Sequence, residues 1–183
     1  MSTTAMKRTT TLDFIILGLI QENNLSGYKI RKTFEDTALG NFGGSPGTIY
    51  PALKRLETNH LISKQILRQG NKSEFSITPL GLHHLKTWLE QAPSEEEVKK
   101  NPELLVLKFA FMSPMIGTDR QIQFLDQMKK ELKNYLLELQ VYYENEKEGM
   151  PLTGQLAFEQ GLMAYRSNID WCEHAIHSLK MKK

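Results

Sequence analysis

Three short apolar helical repeats, a two-strand pattern around a polar turn and a fourth helix precede Pro93, and two long runs with heptad-like spacing follow it. Together they predict a mainly α fold: an N-terminal winged helix-turn-helix with a two-stranded β wing, then a C-terminal antiparallel long-helix dimerisation region. The expected division is a short arm over 1–11, a winged module over 12–92 and a helical region over 93–183.

Thr11 is placed to cap a first helix over Leu12 to Glu22, where Leu12, Ile15, Ile16 and Leu19 share one face. Asn23-Asn24 ends it, and Ser26 is the natural cap of a second helix to about Leu39, with Ile30, Phe34 and Ala38 on its buried side. A glycine-rich break over 40–44 leads to a third helix between Ser45 and Asn59, apolar along Ile49, Ala52, Leu53 and Leu56. Pro51 lacks an amide proton and crowds the carbonyl four residues back, so regular helix is expected to begin near Gly47 or Thr48. LISKQIL, RQGNKS and EFSIT then read as a β-hairpin, and Thr78-Pro79 as a cap with proline in the first turn of a fourth helix facing inward through Leu82, Leu85 and Leu89.

The C-terminal half differs in texture. Ser94 with three glutamates looks like a helix start, and Asn101-Pro102-Glu103 opens a short buried helix. Thr118 with Gln121 suggests a capping box before a run without Gly or Pro to Gly149, about 29 residues or roughly 44 Å. Leu125, Met128, Leu132, Tyr135, Leu139 and Tyr142 form its seam. After Gly149-Met150-Pro151, Phe158, Leu162, Tyr165, Ile169, Cys172, Ile176 and Leu179 form another, which is assigned to dimerisation. Two antiparallel helices can cover one stripe of each other, but these also carry Ile122, Leu136, Tyr143, Leu152, Leu156, Met163 and Trp171 off the seam, a surplus that argues for a second copy of the chain.

Composition excludes several classes. Of 183 residues 40% are hydrophobic and 24% charged, which rules out disorder and fibrous repeats. One cysteine, Cys172, forms no intrachain disulfide, and the cytoplasm is the expected compartment. The stretch Leu12 to Ile20 is too short to cross a bilayer and carries Asp13; Gln21-Glu22-Asn23-Asn24 stands where a signal peptide would be cleaved. No membrane partner is expected. The net charge of +2 divides into +4 over 1–92 and −2 over 93–183, which puts the cationic surface on the winged module.

On the third helix, steps of 100° from Ile49 place Gly47, Pro51, Lys54 and Thr58 opposite the core, flanked by Tyr50 and Arg55. Small residues at the helix start admit phosphates close to free amides, and Lys54 and Tyr50 can reach phosphates or base edges. The wing tip, with Arg68, Gln69, Asn71 and Lys72 around Gly70, can follow a phosphate backbone or enter a minor groove. Either feature alone is an ordinary polar surface; both in one module point to double-stranded DNA.

The segments ILGLIQENNLSGYKI, GTIYPALKRLE, LISKQ and FSITPLGLHHLKTWL resemble PadR-family transcriptional regulators, winged-helix proteins of bacteria and archaea. The resemblance is dense over 12–92, and ELLVLKFAF with the two long helices is similar to the larger PadR subfamily. It implies a homodimeric repressor that releases DNA when a small aromatic or amphipathic effector binds. It implies Tyr28 and Lys29 near the phosphate backbone, Ser45, Thr48, Tyr50, Pro51 and Lys54 in the recognition helix, and Arg68 and Lys72 on the wing. The sequence departs from the family at Asn59-His60, where a glycine usually precedes the leucine, and at Phe75, usually tyrosine. A two-fold dimer would meet a pseudo-palindromic operator with half-sites about one helical turn, or a multiple of it, apart.

Other chemistry finds little support. His174 and His177 lie near Asp170, Cys172 and Glu173, but no second ligand pair has metal spacing, and His83-His84 diverge by about 100° on one helix. No Walker loop, nucleophile elbow, zincin or dinucleotide motif occurs, so neither catalysis nor a cofactor is expected. Trp88, Trp171 and Tyr135, Tyr142, Tyr143 and Tyr165 are candidates either for core or for an aromatic effector cavity where the halves meet. The alternative to DNA regulation is a winged-helix protein-interaction module without direct DNA binding.

Overall fold

The computed structural model describes residues 8–66, 73–113 and 115–182. The chain contacts divide it into two compact units, with the boundary between Trp88 and Leu89, ahead of the Pro93 boundary expected.

In the first unit, α1 spans Thr11–Ile20 and α2 spans Gly27–Asp36, with the two-residue strand β1 (Leu25–Ser26) between them. The cap of α1 is Thr10, not Thr11. Its hydroxyl accepts from the Asp13 amide at 3.4 Å while its own amide donates to Asp13 Oδ2 at 2.8 Å, a reciprocal box that Thr11 cannot make without an acid three residues on. The helix stops at Ile20, two residues short of Glu22, and Thr11 belongs to it rather than to an arm.

Ser26 caps α2 as expected, its hydroxyl accepting from the Lys29 amide at 3.2 Å. The helix ends at Asp36, because the Thr37 side chain starts a 3-10 turn over Ala38–Phe42. Ala38 is therefore exposed; Ile30 and Phe34 alone carry the expected buried stripe.

Helix α3 runs Pro46–Thr58 and so begins before Gly47, with Pro51 inside it. Pro46 supplies the first-turn proline that Pro51 was expected to be. Pro51 removes the donor to the Gly47 carbonyl, but both residues are exposed, so water can satisfy that oxygen and the helix continues.

Among the described residues the expected two-stranded hairpin is joined by a third strand. β2 (Ile62–Ile66) pairs antiparallel with β3 (Ser73–Ile77), and β1 adds to the other edge of β3 through Leu25 opposite Phe75 and Ser26 opposite Glu74. Helix α4 (Pro79–Leu89) is opened by Thr78, whose Oγ1 accepts from the Gly81 amide at 3.0 Å. The core of this unit is Ile15, Ile16, Ile20, Ile30, Phe34, Ile49, Leu53, Leu56, Leu61 and Leu85, with Phe14 stacked on Trp88 at 4.8 Å.

In the second unit α5 (Glu95–Lys100) carries a Ser94/Glu97 capping box, and α6 (Pro102–Ala110) starts on its proline. Helix α7 covers Thr118–Glu146, 29 residues as expected, but its cap is Gly117 and the expected Thr118/Gln121 box is absent. Thr118 is already helical, and Gln121 Nε2 instead donates to the Ile116 carbonyl at 2.6 Å. A 3-10 turn over Lys147–Gly149 leads to α8 (Leu152–Met181), antiparallel to α7 in one long hairpin.

The seam assigned to dimerisation closes within one chain. Leu162, Ile169, Cys172 and Ile176 are buried on α8, facing Leu125, Met128, Leu132 and Leu136 of α7. Tyr165 meets Tyr135 edge-on at 5.1 Å, and Phe158 stacks on Tyr143 at 5.1 Å; Leu179 is half-buried. Heptad spacing marks a stripe to be covered without saying which chain covers it, and the nearest cover is the neighbouring helix. Large apolar side chains left exposed are Leu137, Val141 and Tyr142 on α7, the last an expected seam residue, and Leu152, Leu156, Met163 and Met181 on α8, whereas Leu136 and Tyr143, expected off the seam, are buried.

Candidate nucleic-acid interface

The exposed face of α3 is built by default. Ile49, Ala52, Leu53 and Leu56 are buried at 2% exposure or less, so helical geometry turns Gly47, Tyr50, Pro51, Lys54 and Thr58 outward. All five are exposed, Tyr50 by 49%. Thr48 and Ser45 are exposed too, but their hydroxyls have local work. Thr48 Oγ1 donates to the Gly43 carbonyl and lies 2.9 Å from the Ser45 carbonyl and 3.2 Å from Ser45 Oγ. These contacts fix the loop into α3, and Gly43 takes a left-handed φ of 108° that a side chain would resist.

Tyr28 and Lys29 stand at the start of α2, exposed, with Tyr28 at 58%. They share an open groove of about 630 Å³ with Ser26, Tyr50, Lys64 and Glu74. The two helices meet closely there, since a Cβ on Gly27 would lie 3.2 Å from Tyr50 Cε1. The groove gathers two tyrosines, two lysines and the N-terminus of α2, groups that can donate to phosphate oxygens, together with the Glu74 carboxylate, which opposes an anion beside it. Lys64, on β2, is a cation that sequence reasoning missed; its place after the third helix and before the wing was the available signal. Arg68, Asn71 and Lys72 lie outside the described residues.

Arg55 flanks this face but turns inward. Its Nε donates to Asp13 Oδ2 at 2.9 Å and its Nη2 to Asp13 Oδ1 at 2.6 Å, a bidentate pair in which Asp13 is 1% exposed. The guanidinium also reaches Thr10 Oγ1 at 3.4 Å. The Asp13 carboxylate favours the protonated guanidinium and raises its pKa further above the ordinary arginine value. Of the two cations on α3, only Lys54 is left pointing at solvent.

In the second unit the aromatic residues proposed for a cavity are paired with one another: Tyr135 with Tyr165, Tyr142 and Tyr143 with Phe158, Trp171 with Phe109 at 5.6 Å. Lys108 is fully buried on α6, 3.5 Å from the Gln91 carbonyl and 3.7 Å from Glu97 Oε1. Burial lowers its pKa, and Glu97 offsets only part of that. Burial pushes the Cys172 thiol up to about 11. Among the described residues no cluster of His, Cys, Asp or Glu could hold a metal ion, and no helix is long and apolar enough to cross a membrane.

The chain is similar to known proteins. Residues 16–87 match the family described as "Transcriptional regulator PadR-like family". The "Negative transcriptional regulator PadR" of Bacillus subtilis (strain 168) is 34% identical over 138 residues, 73% of each chain. Two solved structures are similar: Bacillus subtilis PadR in complex with operator DNA (25% identity, 94% of this chain and 99% of that one, TM-score 0.45) and the same protein with p-coumaric acid (25%, 93% and 99%, TM-score 0.43). The extent and identity of the match to the Bacillus subtilis regulator, with the family match over the winged unit, establish that the chain belongs to the PadR-like family of transcriptional regulators.

Proposed function

We propose that this chain is a dimeric, sequence-specific DNA-binding repressor. The observation that carries the reading is the continuous exposed surface of the α3 face (Tyr50, Pro51, Lys54) and the groove holding Tyr28, Lys29 and Lys64. One element is shaped for a major groove, and beside it lie cations and amides for the flanking phosphates. Tyr28, Lys29, Tyr50, Pro51 and Lys54 make the DNA contacts in this reading, with Ser45 and Thr48 bordering the DNA at the helix start while their hydroxyls hold the loop into α3, and with the wing residues Arg68, Asn71 and Lys72 extending them; the protein acts in the cytoplasm and performs no catalysis. Membership of a regulator family whose Bacillus subtilis relative is a negative regulator supports repression.

Dimerisation is supported by the exposed apolar side chains Leu137, Val141, Leu152, Leu156 and Met163. Two copies related by a two-fold axis would read a pseudo-palindrome. A small aromatic or amphipathic effector that favours the DNA-incompetent arrangement would release the operator, and DNA would weaken that effector's binding by the same factor.

Footprinting on the DNA upstream of its own gene, at several salt concentrations, tests the reading. A protected pseudo-palindrome whose affinity falls steeply with salt is expected. Absence of any protection at low salt, with the protein folded and capturing a protein partner instead, would favour the interaction-module alternative. A panel of aromatic acids including p-coumaric acid, followed by the fluorescence of Trp88 and Trp171 with and without operator, tests the effector.

A further inference from the structure

Arg55 is placed by sequence periodicity on the flank of the recognition face, where a cation beside a groove would ordinarily be read as a phosphate contact. We propose instead that Asp13 and Arg55 form a positioning pair: an acid on α1 that holds the recognition helix in the register its base contacts require, so that Arg55 never binds DNA. The inference rests on the DNA-binding reading above and deepens it.

Three observations carry it. Both carboxylate oxygens of Asp13 are engaged, Oδ1 by Arg55 Nη2 and Oδ2 by Arg55 Nε and the Thr10 amide, so the acid is fully used in this geometry. A buried carboxylate is costly to leave without its partner, so Arg55 is held there even when phosphates lie close. The pair also spans 42 residues of sequence and bridges two helices, so it fixes how α3 is rotated and where its C-terminal part sits on α1. Arginine suits this task because two parallel bonds set an angle as well as a distance, which a lysine ammonium cannot do.

The proposal makes a charge-removing and a charge-keeping substitution act in the same direction. Asp13→Asn removes a negative charge, and electrostatics alone would tighten DNA binding. Arg55→Lys keeps the charge and loses the fork. We expect both to weaken operator binding by about tenfold, the size of one misplaced base contact, and to leave the salt slope and the affinity for random DNA near those of the unsubstituted protein. The double variant Asp13→Asn with Arg55→Met removes the buried charge together with its partner, so it stays folded by circular dichroism and thermal melting; it should still show the reduced ratio of operator to random affinity. Tighter operator binding by Asp13→Asn would overturn the proposal. So would a salt slope lowered by about one together with equal losses on operator and random DNA for the double variant, which marks Arg55 as a phosphate contact. Operator affinity in the folded double variant equal to that of the unsubstituted protein would also overturn it, because the pair would then serve stability alone. If the unsubstituted protein binds no DNA, the reading beneath the proposal fails with it, and this is seen before any variant is made.

Discussion

Replacing His60 by glycine should stabilise the winged unit. Helix α3 ends in a paired-bond turn: the Leu61 amide donates to the Leu56 carbonyl at 2.9 Å and the His60 amide to the Glu57 carbonyl at 3.0 Å. That geometry needs a left-handed residue between Asn59 and Leu61, and His60 supplies it at φ 56°. A side chain in that region costs about 1–2 kcal/mol, which glycine avoids, while glycine's extra freedom in the unfolded chain costs about 0.5–1 kcal/mol. The imidazole is exposed, so little packing is lost. The net gain expected is about 0.5–1 kcal/mol, a rise in midpoint of roughly 2–6 °C for a unit of this size. Thermal and urea melts of His60→Gly and His60→Ala measure it; alanine keeps the Cβ and should gain nothing. Equal stabilisation by alanine, or destabilisation by glycine, would refute the strain argument. The family's usual glycine before this leucine is thereby given a physical reason.

Four further outcomes are expected. Lys54→Ala should cost about 1–3 kcal/mol in operator affinity and relax preference at one base, whereas Lys64→Ala should weaken all DNA alike and lower the salt slope by about one; titrations on operator, single-base variants and random DNA separate the two. Gly81→Ala should destabilise by about 3 kcal/mol or prevent folding, because its Cβ would fall 2.0 Å from the Leu61 carbonyl oxygen, a backbone atom that cannot step aside; denaturant melts check this. Lys108 has a folded pKa below its unfolded value, so the unfolded chain binds more protons between the two: stability should rise with pH through that window toward about 10.5, and Lys108→Met should flatten the rise in urea melts across pH 7–10.5. Cys172, buried with its thiol pushed up to about 11, should resist alkylation at pH 8 in the folded protein and react promptly in urea, as mass spectrometry would show.

Much of this architecture is legible in local sequence because local chemistry decides it. Ser26, Ser94 and Thr78 cap the helices that follow them, and the 29-residue span of α7 follows from an uninterrupted run. The misses share a cause, which is that the deciding partner lies elsewhere. Three consecutive threonines, Thr9, Thr10 and Thr11, are equivalent as caps until Asp13 selects the one three residues before it. β1 is two residues long and has no period of its own; it exists because the edge of β3 is free to pair. Periodicity put Arg55 on a flank, but whether a flanking cation faces solvent or the next helix depends on an acid 42 residues away. The heptads of α8 named the residues that pack without naming the chain they pack on.

The contacts around α3 show why its exposed face can act as a fixed reading surface. At its N-terminal end the Thr48 hydroxyl ties the helix to the Gly43 and Ser45 carbonyls. Along its flank Arg55 grips Asp13. At its C-terminal end Thr78 Oγ1 donates to the His60 carbonyl at 2.7 Å and the Thr78 amide to the Leu61 carbonyl at 3.1 Å, joining the turn after α3 to the start of α4. Side chains on a helix pinned at three places lose little further freedom on meeting DNA, so their contacts translate into affinity with small ordering cost. Substitutions on the exposed face should therefore report single contacts, additive when well separated. Substitutions at the pins should move every base contact together, and combined with face substitutions they should depart from additivity.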